Sequence, residues 1–130
     1  MTCGKKRMKE GFTVANIEIA ENGILVVTLY GELDNHEANG IRTHISSAIY
    51  AGQVRGIIWN LERLGFMDSA GIGLILGRMR DLAPLGGETL IINPSATMEK
   101  IFSFSGLSAN IRHCTVETAI GEIGGVLHEQ

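Results

Sequence analysis

Ser69 is the residue whose surroundings suggest chemistry. It sits in Phe66-Met67-Asp68-Ser69-Ala70-Gly71-Ile72-Gly73, between a strand-like run and a helix-like run. Ahead of it, Gly56-Ile57-Ile58-Trp59-Asn60-Leu61 has the length and branching of a buried strand. Behind it, Ile72, Ile75, Leu76 and Met79 recur at i, i+3, i+4 and i+7, the spacing of a helix face. Asp68 and Ser69 are both good N-cap residues, so the helix starts at one of them. The serine hydroxyl then lies where unpaired backbone amides and the positive end of the helix dipole converge. A phosphate on Ser69 is expected to find a favourable anion site there.

Other chemistries are weaker at this position. Nucleophilic catalysis would call for Gly-x-Ser-x-Gly, which is absent, and no histidine is implied nearby as a base. A helix-capping serine with no chemistry is the bland alternative. Gly71-Ile72-Gly73 followed by Gly77 invites a dinucleotide loop. The spacing is G-x-G-x-x-x-G, however, the glycines fall inside the helix, and no phosphate-loop lysine follows. Close helix–sheet packing explains the three glycines better. Glycine inside a helix costs about 0.5–1 kcal/mol relative to alanine, so the sheet or a protein partner must approach them. His36, His44, His113 and His128 show no ligand spacing, so neither a metal nor a cofactor is expected. Asp34 and Asp68 each precede a helix. In a parallel βα arrangement both turns emerge at the C-terminal strand ends, which carries Asp34 toward Ser69.

These residues need elements to hold them. The chain has 130 residues, enough for one domain with a single core. Its 45% hydrophobic content and formal net charge of −3 are ordinary for a globular protein and lack the basic footprint of a nucleic-acid binder. No apolar run approaches the roughly 20 residues of a membrane span. The basic start, Met1-Thr2-Cys3-Gly4-Lys5-Lys6-Arg7, leads into no signal-peptide core. Cys3 and Cys114 lie far apart and read as two unpaired thiols of a cytoplasmic protein. Residues 1–11 are expected to form a basic, flexible tail and residues 12–130 the folded domain.

Val14–Ile19 alternates and Ile24–Tyr30 is more apolar; Glu21-Asn22-Gly23 between them predicts an N-terminal antiparallel hairpin. Asp34 or Asn35 caps a helix with Ala38, Ile41, Ile45 and Ala48 or Ile49 inward. A strand around Val54–Leu61 follows, then the Ser69 helix to about Leu82 and a strand over Thr89–Ile92. Asn93-Pro94-Ser95 starts a short helix carrying Met98, Ile101 and Phe102, and an edge strand lies within Ile111–Cys114. Thr115 caps a last helix with Val116, Ala119, Ile120, Ile123 and Leu127 inward. After the hairpin, strand and helix alternate. That pattern requires an α/β fold with a mostly parallel sheet and crossover helices. With Ile72, Ile75, Leu76 and Met79 facing the core, Ser69, Gly73, Leu74, Gly77 and Arg78 are expected on the outer face of the helix.

Four blocks then resemble one family, in order: Gly31-Glu32-Leu33-Asp34, residues 61–73, Gly86-Gly87-Glu88 and Phe102-Ser103-Phe104-Ser105-Gly106-Leu107. They are similar to bacterial anti-sigma factor antagonists of the STAS domain family, over about residues 13–127. The resemblance implies a single STAS-like domain whose acceptor serine, here Ser69, is phosphorylated by a cognate anti-sigma factor that is also a serine kinase. It implies that the unphosphorylated antagonist binds the anti-sigma factor and frees the sigma factor. The phosphorylated form does not bind, and a serine phosphatase restores it. Asp34 and Asp68 match family acids near the phosphosite. Ala70 stands where many relatives have a second Ser or Thr, so no alternative acceptor remains there.

The expected function is a phosphorylation-controlled protein-binding switch in the cytoplasm, a kinase substrate rather than an enzyme. It would work without direct contact to nucleic acid or membrane. Its expected partner-binding residues are Asp34, Asp68, Ser69, Gly73, Leu74, Gly77 and Arg78. Two rivals stand beside it. One is a STAS scaffold or accessory module of a stressosome-type or lipid-transport assembly. The other is a small nucleotide-dependent hydrolase that uses the glycine-rich turn.

Overall fold

The computed structural model describes residues 6–8 and 14–128. Its elements in order are β1 (Lys6–Met8), β2 (Ala15–Ile19), β3 (Ile24–Leu33), α1 (Asn35–Tyr50), β4 (Gly56–Met67), α2 (Ser69–Leu82), β5 (Glu88–Ile92), α3 (Ala96–Phe104), β6 (Ile111–Arg112) and α4 (Val116–His128). The six strands form one sheet in chain order. β1, β2 and β3 pair antiparallel, and β3 through β6 pair parallel. Of the expected tail, Lys6–Met8 is a short strand against β2, and the remainder lies outside the described residues.

The hairpin forms where Asn-Gly predicted it. Asn22 and Gly23 adopt φ of 67° and 74°, the left-handed region that Asn and Gly enter most readily. Ala20 N–H closes the turn on Ile24 O at 2.7 Å. Along β3, Leu25, Val27 and Leu29 face α1, α2 and α3, while Ile24 and Val26 face α4. β4 repeats the alternation, with Ile57, Trp59 and Leu61 on the first face and Ile58 on the second. The sheet is thus covered on both sides, as a parallel sheet requires. The face expected of α1 is the one buried: Ala38, Ile41, Ile45, Ala48 and Ile49.

Two strands run further than their patterns suggested. β3 continues to Leu33 and β4 to Met67, because Tyr30–Leu33 pairs in parallel with residues 63–67. The register slips between Thr28 and Tyr30 and again between Gly31 and Glu32. These irregularities break the two-residue alternation, so Leu61, Leu64 and Met67 are buried at intervals of three. The extension delivers Ser69 directly from strand to helix, with Asp68 as the only link.

The remaining elements brace this frame. Ser95 caps α3 by accepting from Met98 N–H, and Thr115 caps α4 by accepting from Thr118 N–H. Asn93, with φ of 57°, donates its side-chain amide to Cys114 O at 2.8 Å and ties β5 to the approach of α4. Arg112 holds Glu122 of α4 at 2.8 Å. Cys114 is a free, half-buried thiol, and Cys3 lies outside the described residues.

The glycines of α2 divide. A Cβ on Gly71 would run into the side chain of Met67, so that residue is where the helix passes closest over the end of β4. Gly73 and Gly77 were expected to pack the same way. A Cβ at either has nothing within 4 Å, so close packing accounts for Gly71 alone. Gly71→Ala should therefore lower stability by about 1–2 kcal/mol, the overpacking penalty outweighing the gain in helix propensity. Gly77→Ala should raise it by about 0.5–1 kcal/mol. Urea melts followed by fluorescence of Trp59, the single and fully buried tryptophan, measure both.

Candidate functional site

The site grows out of one pairing. Leu33 and Met67 are partners at the ends of two parallel strands, so Asp34 and Asp68 leave the sheet side by side, on strands about 4.8 Å apart. Each then caps the helix it starts. Asp34 Oδ1 accepts from Glu37 N–H at 2.9 Å, and Asp68 Oδ1 accepts from Ala70 N–H at 2.9 Å. The sequence therefore placed Asp34 correctly beside the start of the Ser69 helix.

Asp68 is the cap of α2, and Ser69 is its first residue. Ser69 is exposed, and its hydroxyl makes no hydrogen bond to another described residue. The hydroxyl is thus not engaged in holding the helix. The expected anion site at the helix start is not open, because Asp68 engages its amides. Besides Ala70 N–H, it takes Gly71 N–H on its carbonyl at 3.0 Å, and the same carbonyl accepts the first bond of the helix proper from Ile72 N–H at 3.4 Å.

The helix is turned about its axis relative to the expected orientation. Leu74, expected on the outer face, is 3% exposed, and Arg78 is 7% exposed. The buried stripe is Gly71, Leu74, Ile75, Arg78 and Leu82. Ile72, Leu76 and Met79, expected at the centre of the core, are its half-buried flank. Two contacts fix this rotation. Gly71 must face Met67, and Asp81, which accepts from Arg78 Nε at 3.0 Å on the same helix, must face α1. Asp81 also accepts from Ser46 Oγ at 3.2 Å and Tyr50 Oη at 3.3 Å, so the ion pair clamps α2 to α1. An arginine satisfied in this way is buried without an unpaired charge.

The outer face therefore consists of Ser69, Gly73 and the exposed sides of Ile72 and Leu76. It borders an open groove of about 600 Å³ between α2 and α3, lined by Phe66, Ile72, Leu76 and Ile101 with Asp68 and Ser69 at its mouth. Phe66 is 58% exposed there, and Phe104 on α3 is 92% exposed. Neither Phe66 nor Ile101 was singled out from the sequence as a surface residue. Gly65 and Gly73, which flank this apolar segment without side chains of their own, were the available signal. Among the described residues, exposed Glu32, Asp34, Glu62 and Asp68 lie toward this end of the sheet together with exposed Arg63.

Leu74→Ala should thus behave as a core truncation and lower stability by about 2–5 kcal/mol. A denaturant midpoint that stays at the wild-type value would show that Leu74 lies outside the core.

Comparison with known proteins gives a consistent picture. The family model for the STAS domain matches residues 16–123. The anti-sigma F factor antagonist of Lysinibacillus sphaericus is 48% identical over 112 residues, covering 86% of this chain and 96% of the relative. That of Paenibacillus polymyxa is 38% identical over 85 residues, covering 65% and 73%. Among solved structures, the anti-sigma factor antagonist SpoIIAA in its unphosphorylated form superposes with a TM-score of 0.82 at 48% identity, covering 85% of this chain and 96% of that one. SpoIIAA in the phosphorylated form superposes with a TM-score of 0.78 at 49% identity, covering 84% and 98%.

Proposed function

This chain belongs to the STAS domain family, in which it is an anti-sigma factor antagonist, and we propose that Ser69 is the switch through which it binds or releases its anti-sigma factor. The observation that carries the switch is the position of Ser69: an exposed hydroxyl without structural duty, at the mouth of an apolar groove. That SpoIIAA exists in unphosphorylated and phosphorylated forms supports a phosphate at the matching serine here. The kinase is the anti-sigma factor itself, a serine phosphatase reverses the reaction, and the cycle runs in the cytoplasm.

The docking surface is the outer face of α2 together with the groove. Ser69, Gly73, Ile72 and Leu76 supply its centre, with Phe66 and Ile101 as the opposite wall. Open space over Gly73 lets a partner approach the helix backbone. Asp34 and Asp68 form its acidic edge. Leu74 lies beneath it in the core, and Arg78 holds the Asp81 carboxylate that bonds to α1. Gly77 is half-buried with open space above it and extends the same face by one turn.

Phosphorylation adds about −1.5 to −2 charges and a bulky acceptor group at this point. A loss of ~3 kcal/mol weakens binding more than 100-fold, because 1.4 kcal/mol is a factor of ten. The glycines at 71, 73 and 77 lie within α2 rather than in a loop before it, so the turn makes no phosphate cradle.

Incubation with the cognate kinase and ATP should label Ser69 alone, as mapped by mass spectrometry. Equal labelling of Ser69→Ala protein would refute the assignment. Leu76→Glu should leave the melting temperature within a few degrees of wild type and weaken partner binding tenfold or more by titration calorimetry. Normal binding by this folded variant would place the docking surface elsewhere. Ser69→Asp should weaken binding by less than the phosphate does, since it carries a single charge.

A further inference from the structure

On the reading that Ser69 carries the phosphate, the geometry also bears on where that phosphate goes. An α-helix leaves its first amides without intrahelical acceptors, and such a terminus ordinarily receives an anion. A phosphate on the first residue of a helix has an obvious resting place, folded back over the amides that follow it. In α2 that place is taken. The Asp68 carboxylate holds Ala70 N–H at 2.9 Å and the Asp68 carbonyl holds Gly71 N–H at 3.0 Å, the two amides that follow Ser69. In the neighbouring helix Asp34 caps in the same way, its carboxylate holding Glu37 N–H at 2.9 Å.

We propose that Asp68 keeps the anion site of α2 occupied, so that a phosphate on Ser69 is denied its own helix and stands outward at the mouth of the groove. To fold back, the phosphate would have to expel a carboxylate from its hydrogen bond, and that carboxylate stays covalently adjacent as a like charge. Asp34 places a second carboxylate beside it. Asp68 is thus a positioning residue for the modification. It holds the added charge on the docking surface, where the charge opposes a partner, instead of letting the helix absorb it. This also explains why the modification need not alter the fold, since no contact within the domain is exchanged.

The test uses the full chain with phosphoserine inserted at position 69 during translation. It therefore needs no kinase, and its result is independent of which residue the cognate kinase labels. In the wild-type background, replacing Ser69 by phosphoserine should leave the Ala70 amide proton near its original resonance in ¹⁵N-correlated spectra and should lower the melting temperature. In Asp68→Gly protein the same replacement should move the Ala70 amide well downfield and raise the melting temperature by about 2–5 °C, as an anion at a free helix terminus does. Asp68→Asn retains a cap without the charge and serves if the glycine variant does not fold. There, phosphoserine should lower the melting temperature less than in wild type. A wild-type Ala70 amide that moves downfield on phosphorylation as far as in Asp68→Gly would overturn the proposal. So would a phosphate effect on melting that is the same for wild type and Asp68→Asn.

Discussion

Where Leu33 pairs with Met67, two parallel strands end level with one another and two helices have to begin side by side. Each begins on an aspartate, and each aspartate answers the amides that a helix start leaves open. Both side chains are thereby committed before any partner arrives. Asp68 caps, and Ser69, one residue on, is left with a free hydroxyl at the surface. Had Ser69 been the cap, its oxygen would already be engaged with the helix. The division of labour between these neighbours makes the exposed serine compatible with a stable helix.

The fold was legible because its strongest signals are local and repeat. The Asn-Gly hairpin, the aspartate and serine caps and the alternation of strand with helix all follow from backbone chemistry that needs no tertiary information. The rotation of α2 was not legible for a definite reason. Ile72, Ile75, Leu76 and Met79 form one helical stripe, and Gly71, Leu74, Ile75, Arg78 and Leu82 form another, about 100° away. Ile75 belongs to both. Counting apolar residues favours the first stripe, because an arginine counts against the second. What decides for the second lies outside the helix: Met67 beneath Gly71, and Ser46 and Tyr50 of α1, whose hydroxyls donate to the Asp81 carboxylate that pairs with Arg78. The extra length of β4 was hidden for a related reason. Its final residues bury at intervals of three across a slipped register, which matches neither strand nor helix periodicity.

Those two misreadings concealed the same surface. A helix in the expected orientation would bury Leu76 and expose Leu74, and a β4 ending at Leu61 would leave Phe66 in a loop. In the observed arrangement Leu76, Ile72 and Phe66 converge on one groove with Ser69 at its mouth. The serine proposed as acceptor was visible because it is marked by its sequence neighbours. The groove was not, because it is assembled from β4, α2 and α3.

The charges around the groove bear on how a phosphate there defeats binding. Among the described residues, exposed Glu32, Asp34, Glu62 and Asp68 outnumber Arg63 at this end of the sheet, so it would attract a basic partner surface over a Debye length of about 8 Å. Over that range, further negative charge on Ser69 would strengthen the encounter rather than weaken it. With such a partner, the loss of binding proposed for the phosphorylated form would have to arise at contact. A dianion at the edge of an apolar groove must shed its water when a partner closes over it, and two carboxylates already stand beside it. Desolvation of an unpaired charge costs several kcal/mol, more than the roughly 1 kcal/mol that exposed opposite charges recover across water. The short-range penalty outweighs the long-range attraction. On the proposed reading the switch thus depends on how dry the groove becomes when it is occupied, and its apolar walls would serve specificity in both states: binding the partner when Ser69 is bare and making the phosphate intolerable when it is not.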